Sequence, residues 1–192
     1  MRNLLVLAAV LAASSSVANA EPTTTTPPKR EVAIIAGGCF WGMEHVMLGM
    51  PGIISMDVGY AGGKSTSVGY KEVSAGSTGH AEAVRIVFDP SKVSYDAILL
   101  RFFRGHDPTQ VDRQNNDIGT QYRSEIFTTT PTQFATALAI RSRVDHSHAW
   151  KKPIVTKIEP ATTWVRAEDY HQDYLVKHPT GYNDHFLRPF TF

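Results

Sequence analysis

The stretch Val32-Ala33-Ile34-Ile35-Ala36-Gly37-Gly38-Cys39-Phe40-Trp41-Gly42 decides how the rest of the chain is read. The apolar run Val32 to Ala36 has the length and composition of a buried strand. Trp41 to Met50 reads as a helix, closed by Pro51 and Gly52. Between them stands Cys39, the only cysteine of the sequence, with glycines on both sides and two large aromatic rings after it. A strand that turns through glycine into a helix puts Cys39 at or near the helix N-terminus. Unpaired backbone N–H groups and the helix dipole favour an anion there, so the expectation is a thiol that ionises readily and acts as a nucleophile. A buried, inert structural cysteine is the competing reading. The glycines favour the first, because they suit close approach of another molecule to the backbone.

Outward from this stretch the chain alternates strand and helix signals. Ile54, Met56 and Val58 alternate with Ser55 and Asp57 and predict a second strand. A glycine-rich connection, Gly59 to Gly79, leads to a third strand, Ala81 to Phe88, ended by Asp89 and Pro90. Ser94 is the expected N-cap of a helix carrying Tyr95, Ile98, Leu99, Phe102 and Phe103 on a helical period. After an irregular polar segment, Gly105 to Gln121, come a strand (Arg123 to Thr128), a helix (Thr132 to Val144), a strand (Ile154 to Glu159), a helix (Ala167 to Lys177) and a tail without periodicity. The first six elements spell β-α-β-β-α-β. That order predicts an α+β fold, a ferredoxin-like two-layer sandwich with an extended mixed sheet and long loops.

The N-terminus has one charge at Arg2, an apolar run from Leu4 to Ala13 and the small-residue pattern Ala18-Asn19-Ala20, the description of a cleavable secretory signal over residues 1–20. Cleavage after Ala20 would send the chain to the periplasm or outside the cell. A Thr/Pro tract within residues 21–30 reads as a solvated tether, and residues 31–192 make one domain, long enough to bury a core without metal or disulfide support. The formal net charge of the whole chain is +1, and Arg2 is the one charged residue of the expected signal. The neutral remainder gives no support for nucleic-acid binding or attraction to anionic membranes. No membrane span is expected in the mature chain, and a monomer is.

On the third strand, alternation puts Glu82 on one face with Val84, Ile86 and Phe88. A carboxyl on an apolar face has a raised pKa and can serve as a neutral proton donor, although a solvated carboxylate at the start of a strand is the plainer reading. Two other patterns carry less. Gly59, Gly62, Gly63, Lys64 and Ser65 resemble a phosphate-binding loop, but the first glycine lies one position too close to the Gly-Lys pair. His146 and His148 could chelate a metal, yet they fall at a helix end with no second spaced pair, so no metal is expected.

Gly38-Cys39-Phe40-Trp41-Gly42 resembles the signature of the peptide-methionine (S)-S-oxide reductases, the A-type methionine sulfoxide reductases. Val58 to Gly63, Gly79 to Val84, His106 to Gln110, Asn116-Asp117, Gly119 to Ser124, Lys152 to Val155 and Tyr170 to Leu175 are similar to family segments in the same order. The resemblance implies that Cys39 attacks the sulfoxide sulfur and that Glu82, with the Tyr70 and Tyr122 hydroxyls, polarises and protonates the departing oxygen. It implies an apolar slot lined by Phe40 and Trp41 for the substrate methyl group, and a positioning role for Asp117. Donors aimed at an oxygen that gains charge in the transition state are physically suited to the task. The substrates implied are oxidised proteins or peptides bearing methionine sulfoxide, and small sulfoxides.

Many family members carry a recycling cysteine just after a Gly-Tyr pair, whereas Gly181-Tyr182 is followed here by Asn183. The oxidised Cys39 is therefore expected to be reduced by an external thiol, a thioredoxin-like or glutaredoxin-like protein or a small molecule, with no bound cofactor. Two further readings stand beside this one. A cysteine hydrolase or acyltransferase would pair Cys39 with His80 or His171. A non-catalytic binding module would use Phe40 and Trp41 alone.

Overall fold

The computed structural model describes residues 29–192. The expected signal segment, and the tether up to residue 28, lie outside the described residues. The chain forms β1 (Glu31–Gly37), α1 (Phe40–Met47), β2 (Ile53–Ala61), α2 (Tyr70–Ser74), β3 (Ala81–Phe88), α3 (Tyr95–Gly105) and the short pair β4 (Arg113–Gln114) and β5 (Asp117–Ile118). A 3-10 turn (Thr120–Tyr122) leads to β6 (Ser124–Thr128), α4 (Pro131–His146), β7 (Lys157–Pro160), β8 (Trp164–Arg166) and α5 (Tyr174–Lys177).

Six strands make one mixed sheet in the order β7-β6-β1-β3-β2-β8, so the fold is α+β. β1 is antiparallel to both β3 and β6, β2 is antiparallel to β3 and β8, and only β7 runs parallel to its neighbour β6. The crossover helices α1 and α3 pack on one face with α4. Between helices and sheet lies the main core, built around Ile35, Phe40, Met43, Val84, Ile86, Phe88, Leu99, Phe102 and Phe103. Small residues dominate the buried cluster on the other face, where Ala36, Ala61, Ala81 and Ala83 surround Ile34 and Phe127. The register sets Ile35 opposite Val84 and Tyr60 opposite Glu82, which brings Glu82 to the sheet centre beside the turn that holds Cys39.

Local sequence explains most element ends. Ser94 Oγ accepts from Ala97 N and starts α3, and Thr130 Oγ1 accepts from Gln133 N and starts α4. The first helix stops at Met47 instead of the expected Met50, because Leu48 turns to extended backbone and Gly49 follows at φ +71°. The glycine-rich connection is not all loop: β2 runs on to Ala61 and α2 forms inside it. The polar segment Gly105 to Gln121 likewise contains the β4-β5 pair and the start of the 3-10 turn.

The largest departure is the expected helix Ala167 to Lys177, which shrinks to α5. Its side chains bond away from the segment's own helix. Gln172 accepts from Val58 N at 2.9 Å and donates to Val58 O at 3.0 Å and to Ala167 O at 2.9 Å, so an amide side chain continues the sheet ladder at the edge of β2. Asp173 sits in the left-handed region at φ +53°, which ends any helix begun earlier.

Candidate active site

Cys39 is the N-cap of α1 and is 8 % exposed. It stands where β1 ends, after Gly37 and after Gly38 at φ +101°, a conformation that side chains disfavour. Burial pushes the Cys39 thiol well above the usual thiol range, with Glu82 adding to the effect. The backbone N–H groups of Trp41 and Gly42 pull the other way without prevailing. This corrects the sequence expectation of a readily ionised thiol. The helix N-terminus is present as expected, but desolvation and the neighbouring carboxyls outweigh it.

Glu82, the second residue of β3, is 2 % exposed. Its Oε2 accepts from Phe40 N at 3.1 Å, which ties the acid to the first turn of the helix that carries the thiol. Burial raises its pKa to about 8, the Phe40 N–H lowers it and Asp117 raises it, so the acid is mostly protonated at neutral pH. Tyr70 is the first residue of α2 and Tyr122 the last of the 3-10 turn. Burial raises both phenols, and both sit in the field of Glu82, Asp117 and Cys39. Asp117, at the start of β5, is pushed up by burial and by Asp184. The seven residues singled out in the sequence thus come from β1-α1, α2, β3, β5 and the 3-10 turn. Cys39, Glu82, Tyr70, Tyr122 and Asp117 converge on one cluster of mutual electrostatic contact.

Phe40 and Trp41 divide their roles. Phe40 is 1 % exposed, with ring centroids 6.0 Å from Tyr60 and 5.0 Å from His171, so it is a wall built into the core. Trp41 is half-buried and stacks on Tyr174 at 3.7 Å with a 12° interplanar angle. Its indole N–H donates to His171 Nδ1 at 3.2 Å. His171 Nε2 then faces Glu168 Oε2 at 3.9 Å. Glu168 also accepts from the Tyr60 hydroxyl and from Tyr70 N, each at 2.8 Å. One carboxylate therefore braces both the turn that presents Tyr70 and the histidine that holds Trp41.

Glu168, His171, Tyr174, Tyr182, Asp184 and His185 were not read from the sequence as residues of a sulfoxide site, and His171 entered only as the base of the acyl-chemistry alternative. The first three were hidden inside an expected helix. The last three lie in the tail, where His185 is buried while Tyr182 and Phe186 are exposed, so no periodic apolar pattern marks the segment. Burial pushes the Tyr182 phenol up, and the Asp184 and Asp117 carboxyls beside it add to the effect. Burial pushes the Asp184 carboxyl up, but His185 and Asn115 outweigh it and leave the group below its usual range.

The histidines suggested for acyl chemistry are engaged elsewhere. His171 serves Trp41, and His80 hydrogen-bonds Ser65 O at 3.0 Å with its ring packed against Gly63. The glycines of the Gly59 to Ser65 stretch are likewise used for packing: a Cβ at Gly59 would meet Trp164 and one at Gly63 would meet His80. His146 is exposed and bonds Ser142 O at 2.7 Å. Among the described residues no group of three His, Cys, Asp or Glu side chains could hold a metal ion, and no helix is long and apolar enough to cross a membrane.

Comparison with known proteins gives a consistent result. A family model described as peptide methionine sulfoxide reductase matches residues 31–191. A protein of Schizosaccharomyces pombe named probable peptide methionine sulfoxide reductase is 50 % identical over 164 residues, covering 82 % of this chain and 96 % of its own length. The crystal structure of Mxr1 from Saccharomyces cerevisiae in reduced form superposes with a TM-score of 0.79 at 37 % identity, covering 85 % of this chain and 94 % of that one. The same yeast protein in complex with Trx2 superposes with a TM-score of 0.58 at 25 % identity, covering 88 % of this chain and 96 % of that one.

Proposed function

The chain belongs to the peptide methionine sulfoxide reductase family and is an enzyme of that activity, and from that premise we propose how its own residues perform the reaction. Cys39 attacks the sulfur of the S epimer of methionine sulfoxide. As the transient bond between Cys39 Sγ and the substrate sulfur breaks, the oxygen passes from the substrate sulfur to Cys39, so methionine leaves and the thiol becomes a sulfenic acid, a two-electron exchange that leaves substrate reduced and Cys39 oxidised. Glu82 gives its proton to the departing oxygen and recovers one from the thiol, while the Tyr70 and Tyr122 hydroxyls donate hydrogen bonds to that oxygen. The thiolate that forms is received by the Trp41 and Gly42 N–H groups. Phe40 and Trp41 bound the slot for the methyl group and so select the epimer, and Asp117 orients the substrate.

The observation that carries this reading is the buried Glu82, protonated up to about pH 8 and bonded to the helix that holds the thiol. A resting thiol beside a neutral acid suits a sulfoxide better than an acyl group. The sulfoxide oxygen must take a proton before its sulfur becomes electrophilic, whereas acyl chemistry needs a base that neither His80 nor His171 supplies. The test is Glu82→Gln. It should retain the fold and lose roughly 10²- to 10⁴-fold in the rate of methionine formation.

Regeneration falls to a thiol from outside, since Cys39 has no second cysteine with which to pair. The external thiol condenses with the sulfenic acid to release water and form a mixed disulfide, and a second thiol displaces it to restore Cys39. A thioredoxin-like protein is the favoured reductant, supported by the yeast relative found in complex with Trx2. Trapping of the mixed disulfide on Cys39 tests this. Many turnovers with thioredoxin and no trappable adduct would contradict it.

Export to the periplasm or cell surface, with cleavage after Ala20, is part of the same proposal and rests on the sequence of residues 1–20 alone. Action as a monomer belongs to the proposal as well. The ferredoxin-like reading of the core is supported by the central order β6-β1-β3-β2 and by the two crossover helices that pack together on one face.

A further inference from the structure

The tail that follows Gly181 returns to the nucleophile. His185 is buried, and its Nε2–H donates to Gly37 O at 2.6 Å while Nδ1 lies 2.7 Å from Asp184 Oδ1. The ring occupies room that two glycines leave open. A Cβ at Gly38 would stand 2.9 Å from His185 Cε1, and a Cβ at Gly42 would collide with His185 Nδ1 and come within 2.8 Å of Asn183 Oδ1. Asn183 Oδ1 accepts from His185 N at 3.0 Å and shapes the turn, and Asn115 Nδ2 donates to Asp184 O at 3.2 Å. Further on, Arg188 N donates to Arg104 O at 3.0 Å and Arg104 Nε returns a bond to Arg188 O at 2.8 Å, which fixes the segment to the end of α3.

We propose that Asp184 and His185 are positioning residues for Cys39: the pair wedges the tail between Gly38 and Gly42 and holds the Gly37 carbonyl, setting the angle at which the nucleophile leaves the strand and enters the helix. The glycines around the thiol thereby gain a reason that lies within this chain, since they admit the imidazole as well as the substrate. Gly37 is the last residue of β1 and Gly38 is in a conformation of weak intrinsic preference, so the bond from His185 adds a second hold, beyond the pairing of Gly37 with Ser124, on the Gly37–Gly38 peptide that leads into Cys39. A misplacement of about 1 Å at a reacting atom can cost on the order of 10²-fold in rate. In a chain with one cysteine, the segment after Tyr182 acts as a fixed clamp on the nucleophile.

The proposal rests on Cys39 being the nucleophile, and the experiment separates the two. His185→Ala, His185→Gln, Asp184→Asn and Cys39→Ser would be compared in the full chain by single-turnover methionine formation from racemic methionine sulfoxide without reductant. The rate of Cys39 alkylation by iodoacetamide, which needs no sulfoxide chemistry, would be followed across pH. His185→Ala should lower the single-turnover rate by roughly 10²-fold with little change in half-saturation, and should displace the alkylation profile. His185→Gln, whose amide N–H can reach Gly37 O, should restore most of the rate, and Asp184→Asn should fall between. Folded His185→Ala with the wild-type rate and alkylation profile would overturn the proposal. Where His185→Ala does not fold, a wild-type rate and profile in folded Asp184→Asn would overturn it equally. Methionine formation by Cys39→Ser would instead overturn the assignment of the nucleophile.

Discussion

Glu82 titrates close to the pH at which the enzyme would work, and this single carboxyl links burial to chemistry. With a pKa of about 8 set chiefly by desolvation, it holds its proton through neutrality and releases it in mild alkali. The single-turnover rate should therefore be flat below about pH 7 and fall above about pH 8 as the donor is lost, and Glu82→Gln should remove that limb together with most of the rate. A stopped pH series on both proteins checks it. The burial of Glu82 was legible because a strand's alternation is local: Val84, Ile86 and Phe88 place the acid among them. The state of the Cys39 thiol was not legible. Its surroundings come from Glu82 and Asp117, far along the chain, and no local pattern reports their distance. Gly42 belongs to this scale too. Gly42→Ala places a methyl group against His185 and Asn183, and should destabilise the fold by about 1–3 kcal/mol as read by urea unfolding.

At the scale of elements, the largest departure is the segment from Ala167 to Lys177. Its composition reads as helix, yet tertiary hydrogen bonds win. Gln172 gives both ends of its amide to Val58, and Glu168 accepts from Tyr70 N, so each side chain completes a backbone ladder or helix start elsewhere. Removing the amide in Gln172→Ala would leave Val58 N–H and C=O without those partners at a buried position. The expected loss is about 1–3 kcal/mol of stability, measurable by urea denaturation. Because Glu168 and His171 flank Gln172 and brace Tyr70 and Trp41, the same variant should also slow the reaction. By contrast, α3 and α4 were legible because Ser94 and Thr130-Pro131 mark their starts locally, and β1 and β3 because their burial needs only an apolar run.

Across the whole molecule, buried titratable groups set opposing slopes of stability against pH. His106, buried with Nδ1 bonded to Phe102 O at 2.8 Å, has its pKa lowered by burial to about 3 from 6.5. The unfolded chain therefore binds the extra proton between those values, and stability rises with pH up to about 6.5. Glu82 and Glu44 act in the opposite sense, with pKa values raised by burial to about 8 and about 7 from 4.5. The folded chain holds protons that the unfolded chain has released, so stability falls as pH climbs from about 4.5 and levels off above about 7 for Glu44 and about 8 for Glu82. Between about pH 4.5 and 6.5 the two carboxyls outweigh the one imidazole, so stability should fall from about pH 4.5 and keep falling until about pH 8, by several kcal/mol in all. Urea midpoints across that range should show the decline, and Glu82→Gln should flatten most of it.

In the proposed reaction Cys39 alone takes the oxygen and has no second cysteine in this sequence to give it up to. The measurement that tests it most directly is a single turnover: the enzyme, free of reductant, mixed with excess racemic methionine sulfoxide. Methionine, the remaining epimers and the intact mass of the protein would be followed together. The expected result is one equivalent of methionine per enzyme, loss of the S epimer only, and one added oxygen that a sulfenic-acid reagent traps on Cys39. Continued formation of methionine beyond one equivalent, or one equivalent formed with Cys39 still reduced, would contradict it.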